Sequence, residues 1–229
     1  MAEFTTPKWR DHLFSVVIVG AGPAGMMLAF CLAKMGVNPL IIDNALASEH
    51  EWGRGDGMQF RTLEVLRNLG LYDDLEKQSL KVATMSQWAI TENPTVRHVT
   101  NFAAGDMDIE EKYGLTIRQG IIEKILDKGF EELSPGNKVH RPWSFQDAWI
   151  EDRSDPNSLV NVTLRSQYGE TRQIRTRYLV GCDGGKSQVR RTLRDRYGVM
   201  FEGSPHDSAW GAVDILEPRT NFPDIKRVW

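Results

Sequence analysis

The sequence of 229 residues has only two cysteines, Cys31 and Cys182, which excludes a disulfide framework. They are expected to be small buried residues in a reducing cytosol. Its five histidines show no metal-ligand spacing with one another or with cysteine, so no metal site is expected. The first thirteen residues are polar and charged, without an apolar core of signal-peptide length. We therefore expect a cytoplasmic protein.

The chain also lacks a strong charge of either sign. Its net charge is −3, with basic and acidic residues interspersed, and no repeat or low-complexity segment stands out. This balance gives no electrostatic argument for binding nucleic acid or an anionic membrane surface. A small-molecule substrate is the expected partner.

Charge is absent from one long stretch, from Ser15 to Ala33, which is long enough to cross a bilayer. A membrane span is therefore one interpretation. Against it, small turn-forming residues interrupt the middle of the stretch, and a second apolar strand, ending in Asp43, follows it.

That stretch and Asp43 together match a dinucleotide-binding motif of strand, glycine turn, helix and acid-capped strand. Gly20 permits the tight turn, Gly22 lets backbone amides approach a pyrophosphate, and Gly25 lets the helix pack on the strand. The helix N-terminus supplies N–H donors for phosphate, and Asp43 is placed to accept hydrogen bonds from a ribose diol. A glycine turn that only packs a strand on a helix is the alternative.

Periodicity predicts further helices and strands. The helices are Arg61 to Leu69, ended by Gly70, and Gln119 to Leu133; the strands are Val82 to Ile90, Val96 to Phe102, Leu159 to Leu164 and Gln173 to Val180. We expect the first two strands to begin a second sheet.

The last of these strands runs into Cys182-Asp183-Gly184, and Ser187 is a plausible cap for a following helix. Asp183 and nearby amides would then face a ligand beyond the carboxyl edge of the sheet. An Asx-type turn that only caps the next helix is the alternative.

Taken together, these motifs resemble those of the single-component FAD-dependent aromatic hydroxylases, the class A flavoprotein monooxygenases, and most of all the phenol 2-monooxygenases. The likeness spans nearly the whole chain. It rests on Gly20 to Gly25 with Asp43, Gly53 to Gly57 with Arg61 to Glu64, Gln119 at a helix start, Cys182 to Gly184, Ala209 to Asp214 and Asn221 to Ile225.

The resemblance implies FAD as cofactor, with NADPH and molecular oxygen as co-substrates. NADPH has no Rossmann domain of its own in this family, so the lack of a second glycine motif is expected. The implied FAD-binding residues are Gly20, Ala21, Gly22, Pro23, Ala24 and Gly25 at the pyrophosphate, Asp43 at the adenosine ribose, Arg54 and Gln119 on the flavin side, and Asp183 and Gly184 near the pyrophosphate.

Asp56 is the candidate catalytic residue. In the chemistry that the resemblance implies, oxygen is transferred to a ring carbon ortho to a phenol. A phenol, with a pKa of about 10, becomes a better nucleophile once its proton is removed. Asp56 would serve as the base only if burial beside the flavin raised its pKa. A turn aspartate between two glycines is the alternative.

The resemblance implies an α/β fold, a Rossmann-like FAD-binding domain with a parallel central sheet and part of a β-rich substrate domain. The expected divisions are 1–80 and 111–203 for the FAD-binding domain, 81–110 for substrate-domain strands and 204–229 for the start of a truncated substrate-domain sheet. The family's later Gly-Asp-Ala-Ala-His motif is absent, so we expect a C-terminally truncated member that functions as a homo-oligomer, with a complementing chain, or as a short form.

Three functions therefore stay open. The first is an FAD-dependent, NADPH-using hydroxylase of a phenolic or other aromatic compound, in aromatic degradation or natural-product tailoring. The second is a catalytically inactive, truncated flavin-binding fragment. The third is an NAD-dependent dehydrogenase, which would leave Gly53 to Gly57, Gln119 and Asp183 unexplained.

Overall fold

A computed structural model describes residues 13–46, 55–90, 96–103 and 108–204, together with residues 208 and 219. For residues 84–90 and 96–103 it describes the backbone. The described strands are β1 (Leu13–Val19), β2 (Leu40–Ile42), β3 (Gly57–Met58), β4 (Leu80–Val82), β5 (Thr84–Ile90), β6 (Val96–Ala103), β7 (Gly114–Thr116), β8 (Val139–His140), β9 (Trp143–Ile150), β10 (Val160–Ser166) and β11 (Thr171–Gly181). The described helices are α1 (Pro23–Lys34), α2 (Phe60–Leu69), α3 (Tyr72–Glu76), α4 (Gln119–Leu133) and α5 (Gln188–Tyr197).

The central sheet has six strands in the order β8-β2-β1-β11-β10-β9. Strands β8, β2, β1 and β11 are parallel to their neighbours in this series, whereas β10 pairs antiparallel with both β11 and β9. The predicted α/β class with a largely parallel central sheet is confirmed. The long strand β11 joins its two parts, since residues 175–181 pair with β1 and residues 171–176 pair with β10.

Both faces of the central sheet are covered. Successive side chains of a strand point to opposite faces, so β1 contributes to a core on each face. In β1, Val16 and Ile18 pack in a core that includes side chains of α1, α2 and α4. Val17 and Val19 pack in a second core with side chains of β9, β10 and α5. Burial on both faces explains why β1 is apolar without alternation.

Helices α1 and α4 pack together on the first face. A Cβ at Gly129 would lie 2.8 Å from the Phe30 ring, so glycine at this position makes room for the ring. Phe30 and Phe130 are both buried in the same core. This packing fixes the position of the start of α4 relative to the glycine turn before α1.

The predicted helices and strands are confirmed with small differences in their ends. Helix α4 has the predicted bounds. Helix α2 begins one residue earlier than predicted and ends at Leu69, with Gly70 as its C-cap at a φ of +79°. Strands β5 and β6 form a separate two-stranded antiparallel sheet, as expected for a second sheet. Most of 204–229 lies outside the described residues.

The uncharged stretch from Ser15 to Ala33 forms most of β1, the glycine turn and nearly all of α1. The membrane-span interpretation of this stretch is therefore wrong, because the turn ends the strand before a helix of 12 residues begins. Within the part of the chain that the structure describes, no helix has the length and apolar character needed to cross a membrane.

Candidate FAD-binding site

A cavity of about 800 Å³ opens at the carboxyl ends of β1, β2 and β11. This volume is within the range of small-molecule sites, and the edge is where parallel sheets bind their ligands. Its lining is Val19, Gly20, Gly22, Pro23, Ala24, Ile42, Asp43, Asn44, Ala45, Gln119, Trp143, Ser144, Phe145, Cys182, Asp183, Gly184, Gly185, Lys186 and Gln188.

The three motif glycines have different surroundings. Gly20 has a φ of +101°, and a Cβ there would lie 2.4 Å from the carbonyl oxygen of Cys182. A Cβ at Gly25 would lie 1.9 Å from the carbonyl oxygen of Gly20. A Cβ at Gly22 would meet no atom within 4 Å. Gly20 and Gly25 are therefore required by the packing of the turn, whereas Gly22 keeps a cavity wall open to a ligand.

Helix α1 begins at this wall, with Gly22 as its N-cap and Pro23 as its first residue. The first backbone N–H groups of a helix have no partner within it, and the helix dipole makes this end positive. Together with the open space at Gly22, these groups can hold a pyrophosphate.

Asp43 follows β2, and its side chain is 7% exposed. Its Oδ2 accepts a hydrogen bond from Ala21 N at 2.6 Å, and its Oδ1 accepts one from Ala45 N at 2.8 Å. Arg141 lies beside it, with Nη1 3.1 Å from Oδ1. The carboxylate predicted to accept ribose hydroxyls therefore lines the cavity and is itself fixed by neighbouring groups.

Gln119 is the first residue of α4, as predicted, and it lines the same cavity. Its Nε2 donates to Glu123 Oε1 at 2.7 Å, one helical turn later. The packing of α4 on α1 thus brings Gln119 to a cavity shared with Gly22, about a hundred residues before it.

Asp183 follows β11, and its carboxylate makes the contacts of a turn that caps the next helix. Its Oδ2 accepts from Gln188 N at 2.6 Å and Val189 N at 3.2 Å, while its Oδ1 accepts from Ser187 Oγ at 2.6 Å. Ser187 is the N-cap of α5, as predicted, and its Oγ accepts from Arg190 N. Asp183 and Gly184 also line the cavity, so the capping turn and the ligand-facing position coincide.

The candidate base Asp56 precedes β3 and is exposed. Its carbonyl oxygen accepts a hydrogen bond from Ile117 N at 2.8 Å, which ties the segment to the chain just before α4. The described residues do not bury Asp56 as its predicted role requires. Arg54 lies outside the described residues.

Three further side chains that no sequence motif indicates line the cavity: Trp143, Phe145 and Lys186. Trp143 and Phe145 come from β9, whose alternation of buried and partly exposed residues is a strand pattern. In the sequence, Trp143 and Phe145 alternate with polar residues, a pattern that could have predicted the strand but not its position near β2. Lys186 also lines the cavity and adds a cation beside Gly184 and Gly185.

The two cysteines are free thiols, and they are partly buried rather than fully buried as predicted. Burial, and then the charge of Asp183, raise the pKa of Cys182, which disfavours its thiolate. Among the described side chains, no group of three or more His, Cys, Asp or Glu residues is placed to hold a metal ion.

Comparison with known families decides which dinucleotide-binding class this is. The family model described as "FAD binding domain" matches residues 14–228. The chain belongs to this FAD-binding domain family. Its cofactor is FAD, and the NAD-dependent dehydrogenase interpretation is not supported.

Named proteins are similar to nearly the whole chain. A flavin-dependent oxygenase, ucdD, of Aspergillus ustus is 32% identical over 220 residues, which are 93% of this chain and 33% of that protein. A 3-(3-hydroxy-phenyl)propionate/3-hydroxycinnamic acid hydroxylase of Mycobacterium sp. (strain JLS) is 30% identical over 91% of this chain and 34% of its own length. This chain therefore spans about a third of the length of these relatives.

Solved structures of hydroxylases are also similar to most of the chain. The anhydrotetracycline hydroxylase OxyS of Streptomyces rimosus superimposes with a TM-score of 0.67 and 27% identity, covering 85% of this chain and 36% of that one. Aklavinone-11 hydroxylase, solved with FAD and aklavinone, has a TM-score of 0.64 and 25% identity, covering 80% of this chain and 35% of that one.

The residues of the cavity fit FAD on their own chemistry. The open wall at Gly22 adjoins the N-terminus of α1, as a pyrophosphate site requires. Asp43 supplies carboxylate oxygens at the end of the neighbouring strand.

Proposed function

We propose that this chain provides the FAD-binding part of an NADPH-using aromatic hydroxylase. The observation that carries the proposal is the shared cavity at the glycine turn, lined by Gly22, Asp43, Gln119 and Asp183, in a member of the FAD-binding domain family.

In this proposal Arg54 and several residues of the cavity have defined roles toward FAD. The N-terminus of α1, from Gly20 to Gly25, binds the pyrophosphate, and Asp43 accepts from the adenosine ribose. Gln119 and Arg54 bind the flavin side, and Asp183 with Gly184 lies near the pyrophosphate. When bound, FAD would supply the transfer of electrons from NADPH and the activation of molecular oxygen.

Asp56 is proposed to take the proton of a phenolic substrate. A free aspartate is a weak base for a phenol with a pKa of about 10, so the role requires burial of Asp56 in the working protein. Because Asp56 is exposed here, the groups that bury it must come from FAD, substrate or protein segments other than the described residues.

The proposed domains are an FAD-binding domain of 1–80 and 111–203 and substrate-domain segments of 81–110 and 204–229. Relatives named for a hydroxyphenylpropionate and for anhydrotetracycline suggest a phenolic or larger polycyclic aromatic substrate. We propose action in the cytoplasm on such a small molecule, without a nucleic-acid or membrane partner, in a homo-oligomer or with a complementing chain.

The experiment is to purify the protein and record its visible spectrum before and after adding FAD. Bound flavin, NADPH oxidation stimulated by a phenolic compound and an ortho-hydroxylated product are the expected results. A colourless protein that oxidises no NADPH in excess FAD would contradict the proposal. Flavin binding without turnover on any phenol panel would favour the flavin-binding fragment, since the chain spans a third of its relatives.

The role of Asp56 is tested by Asp56→Asn in the protein that turns over. The amide keeps the size of the side chain but removes the base, so flavin binding should persist and hydroxylation should slow at least about tenfold. Asp155→Asn is the matched control, because Asp155 is also an exposed aspartate, in the loop between β9 and β10, and has no role in the proposed mechanism. Unchanged turnover in Asp56→Asn would remove Asp56 from the mechanism.

A further inference from the structure

Arg141 contacts Asp43, which lines the cofactor cavity, although Arg141 is not itself a lining residue. Its Nη1 lies 3.1 Å from Asp43 Oδ1 and donates to the carbonyl oxygen of Ala45 at 2.9 Å. The side chains of Arg141 and Asp43 are only 16% and 7% exposed. One guanidinium therefore joins the carboxylate to the loop that follows it.

The backbone around Arg141 encloses Asp43 as well. Asp43 N donates to the carbonyl oxygen of His140 at 3.1 Å, and Trp143 N donates to the carbonyl oxygen of Asp43 at 2.8 Å. The segment from His140 to Trp143 thus fixes the main chain of Asp43 on both sides, while Arg141 fixes its side chain.

This arrangement sets the orientation of the carboxylate. Oδ2 is directed to Ala21 N in the glycine turn, and Oδ1 to Ala45 N and Arg141. A buried carboxylate without a cation is costly, so removal of Arg141 would leave Asp43 poorly compensated. Asp127 also lies within the electrostatic reach of Arg141, and the guanidinium opposes the rise that burial causes in its pKa.

We propose that Arg141 is a positioning and specificity-determining residue of the adenosine-ribose site, acting through Asp43. This inference rests on the proposed function, in which Asp43 binds the ribose. While Asp43 is present, Arg141 holds the carboxylate toward an unphosphorylated ribose. When the charge of Asp43 is removed, the same guanidinium becomes a ligand for a ribose 2′-phosphate, since arginine is the residue that accommodates this group.

The first test measures FAD binding to the purified apoprotein by quenching of flavin fluorescence. Arg141→Met should weaken binding by about 10-fold to 100-fold, the equivalent of one lost charge-assisted hydrogen-bond network. Arg175→Met is the matched control, because Arg175 is exposed on β11 outside the cavity lining, and it should bind like the parent protein.

A double-mutant cycle separates positioning from general stability. If Arg141 acts through Asp43, Arg141→Met should add little to the loss already caused by Asp43→Asn. A full additional loss in the double variant would overturn the proposal, as would FAD binding equal to the parent protein in a folded Arg141→Met variant.

Specificity is tested with AMP and adenosine 2′,5′-bisphosphate, which differ only in the 2′-phosphate. The parent protein should prefer AMP, and Asp43→Asn should prefer the bisphosphate. That reversed preference should vanish when Arg141→Met is added. Absence of the reversal in Asp43→Asn would contradict the specificity role, whereas a merely structural arginine would not produce it.

Folding is followed by thermal unfolding of each apoprotein. If Arg141→Met is unfolded, Arg141→Lys replaces it, because lysine keeps the charge but lacks the planar fork that joins Asp43 to Ala45. It should lose binding by a smaller factor than about 10. A parent protein that binds neither FAD nor AMP would instead contradict the proposed function.

Discussion

The carbonyl oxygen of Gly20 occupies the space into which any side chain at Gly25 would project, with 1.9 Å separating it from a Cβ built there. Gly22, between them in the same turn, has open space in the corresponding direction. One turn thus contains a glycine required by the fold and another that leaves room for a ligand.

Gly25→Ala and Gly22→Ala are therefore expected to differ in kind. Gly25→Ala forces a backbone shift and should destabilise the fold by about 3 kcal/mol or more, the upper range for overpacking. Gly22→Ala should leave the unfolding midpoint in urea nearly unchanged but weaken FAD binding, because its methyl group enters the cavity. Loss of stability in Gly22→Ala equal to that of Gly25→Ala would contradict this division.

Ser187→Ala tests the cap of α5. Ser187 Oγ accepts from Arg190 N at 3.0 Å and donates to Asp183 Oδ1 at 2.6 Å. Its removal should lower the free energy of unfolding by about 1 kcal/mol. Ser187→Thr keeps a capping hydroxyl and should restore most of the loss; equal stability of the alanine variant and the parent protein would refute the cap.

His140 predicts a loss of stability in mild acid. Burial, and then the charge of Lys138, lower its pKa from 6.5 to about 4. The neutral ring is therefore favoured in the folded state, so its contribution is complete above pH 6.5 and is lost as the pH falls toward 4. The free energy of unfolding in urea should decline less across this range in His140→Gln than in the parent protein, because glutamine cannot be protonated.

From the environment of Tyr72 we expect the stability of the fold to fall as the pH rises into the alkaline range. Its hydroxyl donates to Glu76 Oε1 at 2.9 Å and contacts the Tyr113 hydroxyl, and burial is the main cause that raises its pKa. A raised tyrosine pKa stabilises the fold fully below the unfolded pKa of about 10 and loses that contribution above it.

The free energy of unfolding of Tyr72→Phe should therefore decline less between about pH 9 and pH 11 than that of the parent protein. Tyr168→Phe is the control, because Tyr168 is 66% exposed and should leave the alkaline decline unchanged. Identical pH dependence of both variants would contradict the assignment to Tyr72.

Much of the fold was predictable because its signals are local. The periodicity from Gln119 to Leu133 gave the bounds of α4, Gly70 ended α2, and Ser187 capped α5. Strands β3, β7 and β8 were not predicted, since each is only two or three residues long and forms by pairing with a distant strand. Periodicity carries little information over so few residues.

Asp183 shows where local inference reaches its limit. The sequence offered two roles for this residue, a cap for the next helix or a group facing a ligand. In the structure it caps Gln188 and also lines the cavity, because the turn that begins α5 lies at the carboxyl edge of the sheet. The two roles looked like alternatives in the sequence, but the folded chain allows both at once.

By itself the sequence determined the glycine turn, the acid after β2 and the helix starts at Gln119 and Ser187, because backbone sterics and capping act over a few residues. Only the tertiary structure decided that Arg141 compensates Asp43, 98 positions earlier in the sequence, and that Trp143 and Lys186 share its cavity. Parallel strand pairing brings β8 beside β2, and no short-range pattern encodes that choice of neighbour.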